Sequence, residues 1–288
     1  MNSEGCMKYS EILVNNYTDV LRCPVCGGAL SGSENGKSLL CNGAKRHCFD
    51  ISAKGYVNLA LNQSGSGDSK EAVRSRTAFL NKGFYRPFAD ELLKALKKYT
   101  SGGVLVDAGC GEGYYTSIMA AEGNFRAIGF DLSKPAIESA AASASRNGSL
   151  NAAYGVAGIF SMPLKDGCAD AVINLFAPCA EKEFCRVLKD DGMLIVAGAG
   201  EDHLFGFKSA LYETPYKNRI REDLPVVMKK LDGIKVRFDI TLDTYEDKMN
   251  LFAMTPYYYR TSREDAEKLN ADSPITTEVE FDIDIYSK

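Results

Sequence analysis

Two groups of residues could do chemistry. The first is Cys23-Pro24-Val25-Cys26 with Gly27-Gly28 behind it, then Cys41, then the neighbours His47 and Cys48. A tight C-x2-C turn points two thiolates at one ion. Three sulfurs and an imidazole complete a closed tetrahedral zinc site. Cys23, Cys26 and Cys41 are the expected sulfur ligands. Either His47 or Cys48 supplies the fourth position, and His47 is preferred. A redox C-x2-C is the rival, but the βαβ context of such motifs is missing around it. The second group is Asp107-Ala108-Gly109-Cys110-Gly111-Glu112-Gly113, with Asp131 following 22 residues after Gly109. Closely spaced glycines let a backbone turn tightly and approach a ligand with no Cβ in the way. A carboxylate at the end of the next strand can accept hydrogen bonds from ribose hydroxyls. The spacing is G-x-G-x-G rather than the G-x-G-x-x-G of dinucleotide binders, which favours an adenosyl-type cofactor over a nicotinamide. Helix capping by Asp131 would explain that one acid but not three spaced glycines.

These residues need a scaffold. The sequence predicts a helix over Pro87–Tyr99, with Phe88, Leu92, Leu93, Leu96 and Tyr99 on one face. It predicts strands at Val104–Ala108, Arg126–Asp131, Ala169–Phe176 and Met193–Ala197. Helices near Tyr115–Glu122, Lys134–Ser145 and Ala180–Leu188 lie between them. That alternation implies a mostly parallel sheet with right-handed crossovers and helices on both faces. The glycine loop then falls where open α/β sheets bind ligands. Near the end, Val279, Phe281, Ile283 and Ile285 alternate with Glu280, Asp282 and Asp284, the pattern of a half-exposed closing strand. The polar stretch Asn62–Ser69 reads as a flexible link. The expected organisation is a zinc-bearing front at 1–60, a link and helix at 61–86, and an α/β domain at 87–288. The front is too small to build a core alone, so metal would supply its folding energy.

The 288 residues are 45% hydrophobic and 25% charged, ordinary for a folded domain and unlike a disordered chain. There is no run of 18 apolar residues, and Glu4, Lys8, Glu11 and Asp19 interrupt any apolar leader. A cytoplasmic, membrane-free protein is expected, and its nine cysteines then read as thiols or metal ligands. Residues 1–100 hold 14 Lys/Arg against 9 Asp/Glu, while the remainder holds 20 against 29. A basic front on an acidic back suggests that the front meets a polyanion.

The D-x-G-x-G-x-G loop resembles the S-adenosylmethionine loop of class I methyltransferases, where an acid ahead of the glycines helps hold the amino-acid end of the cofactor. The whole chain is similar to the RlmA family of 23S rRNA (guanine-N1)-methyltransferases. Beyond the cysteines and the loop, the likeness runs through His47-Cys48-Phe49-Asp50, Lys54-Gly55-Tyr56-Val57-Asn58-Leu59, Arg76-Thr77-Ala78-Phe79-Leu80 and Gly83-Phe84-Tyr85-Arg86-Pro87. It continues in Tyr114-Tyr115-Thr116, Ala177-Pro178-Cys179, His203-Leu204 and Met254-Thr255-Pro256.

The resemblance implies a Rossmann-like class I domain with an N-terminal zinc ribbon that recognises RNA. It implies methyl transfer from S-adenosylmethionine to N1 of a guanine in a 23S rRNA hairpin. The cofactor contacts it implies fall on Tyr85, Gly111, Glu112 and His203, which join Asp107, Gly109, Gly113 and Asp131 from the reading of the loop and strand end, and the zinc ligands it implies fall on Cys23, Cys26, Cys41 and His47. The family usually places three residues between the third cysteine and the histidine; here there are five. Guanine N1 lies on the Watson–Crick edge, so the base must be unpaired or flipped. Tyr114, Tyr115 and Phe176 are candidates to stack on it, or are core residues. No general base is singled out; Glu112, Cys179 and His203 are candidates, with water as a rival. Arg74 and Arg76, on an expected helix, face RNA phosphates or solvent. A homodimer is compatible with the sequence but not required by it. The competing readings are a small-molecule methyltransferase with a zinc appendage and a noncatalytic zinc-ribbon binder.

Overall fold

The computed structural model describes residues 9–61 and 67–288. Cys6 and most of the expected link, residues 62–66, lie outside the described residues. The front begins with a short turn and helix α1 (Ile12–Asn16), followed by strands β1 (Leu30–Gly32), β2 (Ser38–Cys41), β3 (Cys48–Asp50) and β4 (Tyr56–Asn58). Helices α2 (Lys70–Asn81) and α3 (Arg86–Tyr99) come next. Ser69 starts α2 by accepting the Ala72 N–H at 3.2 Å, and Pro87 sits in the first turn of α3, where a missing N–H costs nothing.

Strand and helix then alternate: β5 (Gly103–Ala108), α4 (Tyr114–Glu122), β6 (Phe125–Asp131), α5 (Lys134–Arg146), β7 (Ala152–Val156) and β8 (Ala169–Leu175). The rest is α6 (Glu181–Val187), β9 (Leu188–Ala199), α7 (Phe205–Leu211), β10 (Lys229–Leu242), α8 (Tyr245–Ala253), α9 (Arg263–Glu267) and β11 (Ile275–Ser287). Strands β1, β2 and β3 form a small antiparallel sheet. The other eight run in the order β10-β11-β9-β8-β5-β6-β7-β4. Six of these are parallel, and β11 pairs antiparallel with both β9 and β10. From β5 the chain moves outward through β6 and β7, then restarts on the other side at β8. The topological switch point is therefore at the carboxyl end of β5.

Each face of the sheet has its own core. One packs Leu105, Ala127, Ile173 and Ile195 against Phe88, Leu92 and Leu96 of α3, Met119 of α4 and Ile137 of α5. The other packs Val104, Val106, Ile128 and Val172 against Phe184 and Val187 of α6 and against Ile12, Leu13, Tyr17 and Leu21 from the front. The front residues are thus part of the helical layer on that face. Tyr17 Oη lies 2.8 Å from the carbonyls of Ala127 and Asn151, and Leu21 bridges to Leu164. Within the expected 1–60 unit, β4 joins the large sheet as its edge strand beside β7.

Two details differ from the sequence reading. The strand around Val279–Ile285 does not close the sheet, because β10 pairs along its outer side. Glu280, expected to face solvent, is only 1% exposed and is neutralised by Lys235 and Arg237 of β10. Strand β7 is short and built from Ala, Tyr, Gly and Val, which gives no clear alternation to read. Among the described residues no helix is long and apolar enough to cross a membrane.

Candidate cofactor crevice and metal centre

The small sheet brings the first group together. The donor atoms of Cys23, Cys26, Cys41 and His47 all lie within 4.8 Å of one another. Cys26 Sγ is 3.4 Å from Cys41 Sγ, and His47 Nδ1 is 3.5 Å from Cys23 Sγ and 3.6 Å from Cys26 Sγ. A zinc tetrahedron with bonds of about 2.3 Å to sulfur has edges of roughly 3.8 Å, so the donor set fits the ion. The His47 ring beside it brings the Cys41 thiol down to about 6. Gly28 and Gly43 line the cluster; a Cβ on either would come within 3.1–3.2 Å of a cysteine sulfur. Cys48 is exposed, starts β3 opposite Leu40, and stays out of the cluster.

The second group forms a crevice at the switch point. Gly109, Gly111 and Gly113 take φ of 89°, 54° and 76°, the left-handed region that favours glycine. A Cβ on Gly113 would stand 2.6 Å from the Tyr154 hydroxyl, and one on Gly109 would stand 2.7 Å from the Ala177 Cβ. The loop folds back on β6: the N–H groups of Gly109 and Cys110 donate to the Phe130 carbonyl at 2.8 and 3.0 Å, and Gly111 N–H donates to Asp131 Oδ2 at 3.0 Å. Asp131 Oδ1 accepts the Ser133 N–H at 2.7 Å.

Asp107, at the end of β5, is buried. Thr116 donates to its Oδ2 at 2.5 Å, while Oδ1 has no hydrogen-bond partner among the described residues. Burial, with Asp131 and Glu112 close by, pushes the Asp107 carboxyl up to about 7. An unmatched buried acceptor under a glycine-lined loop suits a ligand that donates there. Arg76 reaches across from α2 to pair with Glu112 and Asp68.

Tyr85 and His203 meet beside the crevice. Tyr85 Oη lies 3.5 Å from His203 Nε2, and Phe281 packs on both rings. The Glu280 N–H donates to His203 Nδ1 at 3.3 Å, and burial lowers the His203 imidazole to about 3. Tyr115 packs edge-on to Phe88, with Tyr114 beside it. Phe176, just past β8, is 47% exposed and has φ of 58°, uncommon for a residue with a Cβ. Its ring rests on Phe88 and Phe281.

The family model described as "Methyltransferase domain" matches residues 99–253, just over half of the chain, and the one described as "RlmA, N-terminal" matches residues 21–63. The 23S rRNA (guanine(748)-N(1))-methyltransferase of Streptomyces fradiae is 28% identical over 278 residues, covering 93% of this chain and 96% of that protein. Two proteins provisionally named 23S rRNA (guanine-N(1)-)-methyltransferases are also similar. YxjB of Bacillus subtilis (strain 168) is 30% identical, covering 67% of this chain and 69% of its own. The one from Micromonospora griseorubida is 33% identical, covering 64% and 67%.

The chain belongs to the RlmA-type 23S rRNA (guanine-N1)-methyltransferase family. As an RlmA-type methyltransferase it uses S-adenosylmethionine, and its N-terminal ribbon carries zinc. The structure gathers Asp107, Gly109, Gly111, Glu112, Gly113 and Asp131 in one crevice. It sets Tyr85 and His203 together in the aromatic cluster that Tyr115 and Phe88 link to α4. Arg76, read as facing RNA or solvent, is turned toward Glu112 and Asp68 with its side chain 21% exposed, whereas Arg74 is exposed.

Sequence reasoning missed Arg221. Its guanidinium donates to Asn174 Oδ1 at 2.9 Å, to the Ala177 carbonyl at 2.7 Å and to the Ala197 carbonyl at 3.2 Å, and pairs with Asp223 at 2.7 Å. Asp223 in turn accepts the Cys179 N–H at 2.9 Å. Apart from Asp223 two positions on, the partners of Arg221 lie 24–47 positions away, so nothing in the local spacing marks it.

Proposed function

We propose that this protein transfers a methyl group from S-adenosylmethionine to N1 of a guanine in a 23S rRNA hairpin, acting in the cytoplasm. The observation that carries this reading is the joining, in one chain, of a four-donor metal cluster with a glycine crevice closed by Asp131. The similar proteins, which are named for this activity, support it.

In this reading the ribbon within residues 1–60 grips RNA, residues 61–86 connect, and residues 87–288 carry out the transfer. Cys23, Cys26, Cys41 and His47 hold zinc. The two extra residues between Cys41 and His47 lengthen a tip that carries Lys45 and Arg46. Both are exposed, and neither belongs to an ion pair among the described residues, so both are free for phosphates. Several other front cations are already neutralised: Arg22 by Asp166, Lys54 by Glu138 and Lys82 by Asp247.

Tyr85, Asp107, Gly109, Gly111, Glu112, Gly113, Asp131 and His203 form the cofactor site. The bound sulfonium supplies an activated methyl group and a good leaving group. The protein therefore has to align the acceptor and exclude water. Phe176, exposed on a fixed turn at the sheet's carboxyl edge, offers a face for the flipped guanine. None of the three base candidates is poised to take the N1 proton. Burial makes His203 a weak base and its Nδ1 already accepts the Glu280 N–H, Glu112 is paired with Arg76, and burial raises the Cys179 thiol. The proton leaves to water.

The test is methylation of unmodified 23S rRNA and of its isolated hairpins, with the product mapped by nucleoside mass spectrometry. N1-methylguanosine from the wild type, lost in Gly111→Arg, is the expected result. Methylation of small molecules with RNA ignored would replace this reading.

A further inference from the structure

We propose that Arg76 receives the carboxylate at the amino-acid end of the methyl donor, at a position that Asp68 occupies as an internal stand-in. The inference rests on the crevice being the cofactor site.

Helix α2 buries Ala72, Val73, Phe79 and Leu80, which leaves Arg76 directed at the glycine loop. Its Nη2 would be 3.0 Å from a Cβ placed on Gly111, so the guanidinium roofs the loop at Gly111. The other nitrogens are taken by two carboxylates of unequal standing. Nε pairs with Glu112, whose side chain is 7% exposed and belongs to the loop itself. Nη1 pairs at 2.5 Å with Asp68, whose side chain is 47% exposed and lies outside the helix.

The segment carrying Asp68 crosses the start of α5 directly after Asp131. Ser133 Oγ donates to the Asp68 carbonyl at 2.9 Å, and a Cβ on Gly67 would stand 2.5 Å from the Ser133 Cβ. Asp68 therefore reaches Arg76 across the mouth of the crevice. A guanidinium fork matches a carboxylate in geometry and charge. A ligand carboxylate arriving over Gly111 can take the place of Asp68 without altering the charge balance. Asp68 then turns to water, while the buried Glu112 stays. The donor's amino-acid end is a zwitterion, and the crevice presents its complement: Arg76 for the carboxylate, with Glu112 and the unmatched Oδ1 of Asp107 for the ammonium.

A plain staple between α2 and the loop is the competing account, and two ligands separate the two. S-adenosylhomocysteine carries the amino-acid end; 5′-methylthioadenosine lacks it. Both are titrated by calorimetry into the wild type, Arg76→Gln and Asp68→Asn. In Arg76→Gln, S-adenosylhomocysteine should bind about tenfold or more weakly, with methylthioadenosine within twofold of wild type. In Asp68→Asn, S-adenosylhomocysteine should bind a few-fold more tightly and methylthioadenosine unchanged. Equal losses for both ligands in Arg76→Gln, or weaker S-adenosylhomocysteine binding in Asp68→Asn, would overturn the proposal. If Arg76→Gln melts below the assay temperature, the Asp68→Asn result decides. A wild type that binds neither ligand sinks the cofactor reading of the crevice instead.

Discussion

Asp131 Oδ2 and the Gly111 N–H are joined across 3.0 Å, which ties the end of β6 to the middle of the glycine loop. The other oxygen of the same carboxylate accepts the Ser133 N–H at 2.7 Å. Burial raises this carboxyl while both backbone donors favour its charged form. Asp131 thus fixes the loop and still has lone pairs for ribose hydroxyls. Asp131→Ala should weaken S-adenosylhomocysteine binding about 10- to 100-fold, the effect of losing hydrogen bonds to a charged group. Calorimetry checks this. Affinity within twofold of wild type would show that the carboxylate does not face the ribose.

The metal centre should be separable from the crevice. Its donors gather in the turn before β1 and at the ends of β2 and β3, and Cys23 and Cys41 share a core with Ile12, Leu13, Tyr17 and Leu21, but those four apolar side chains pack the front against the large sheet through contacts that involve no metal. Chelation, or Cys23→Ser with Cys26→Ser, should unfold the ribbon and abolish RNA methylation while leaving S-adenosylhomocysteine affinity within about twofold, because structural zinc supplies local folding energy. Zinc content by mass spectrometry, read beside both activities, makes the comparison. Full RNA methylation by a zinc-free protein would refute it.

The parts of the fold legible in the sequence were those with strong local signals. Strands β5, β6 and β8 are apolar runs between turn residues. Helix α3 has an apolar stripe, and the glycine loop and the cysteine spacing each carry their own geometry. What escaped depends on long-range partners. Strand β10 alternates Ile234, Val236, Phe238 and Ile240, yet its place outside β11 is set only by pairing. The basic front looked like a polyanion surface, but Arg22, Lys54, Arg76 and Lys82 are matched with acids from 8 to 165 positions away. Arg76 and Arg221 could not be placed because a guanidinium on a helix or loop gives no hint of which carboxylate or carbonyl it will meet.

Cofactor binding should depend on the Asp107 carboxyl, whose ordinary range near 3.8 is pushed up to about 7 by burial. Below pH 7 the free protein holds this group protonated. A ligand ammonium donating to Oδ1 prefers the carboxylate, so binding there must expel the proton. Affinity for S-adenosylhomocysteine should therefore rise roughly tenfold from pH 6 to pH 8 and then level off. Proton release at pH 6 should appear as a dependence of the calorimetric enthalpy on buffer ionisation heat. Asp107→Asn should flatten both. A pH-independent wild type would mean that Asp107 keeps its protonation state on binding.

The turn Phe176–Cys179 is held from three sides, and its rigidity should serve the acceptor rather than the donor. Asn174 Nδ2 donates to the Ala108 carbonyl at 3.0 Å and the Pro178 carbonyl at 3.2 Å. Arg221 clamps Asn174 Oδ1 and the Ala177 carbonyl, and Asp223 holds the Cys179 N–H. This network keeps Phe176 at a positive φ that it would otherwise leave, a strain typical of working sites. Arg221→Ala removes the fork and strands several acceptors, at a cost of about 1–3 kcal/mol in stability. It should slow single-turnover methylation of RNA by about tenfold or more, since small misplacements of an acceptor are costly, with S-adenosylhomocysteine affinity unchanged. Arg221→Lys should recover stability better than rate, because an ammonium cannot reach Asn174 and Ala177 in one plane. A parallel loss of cofactor affinity, or an unchanged transfer rate, would place the clamp outside the acceptor site.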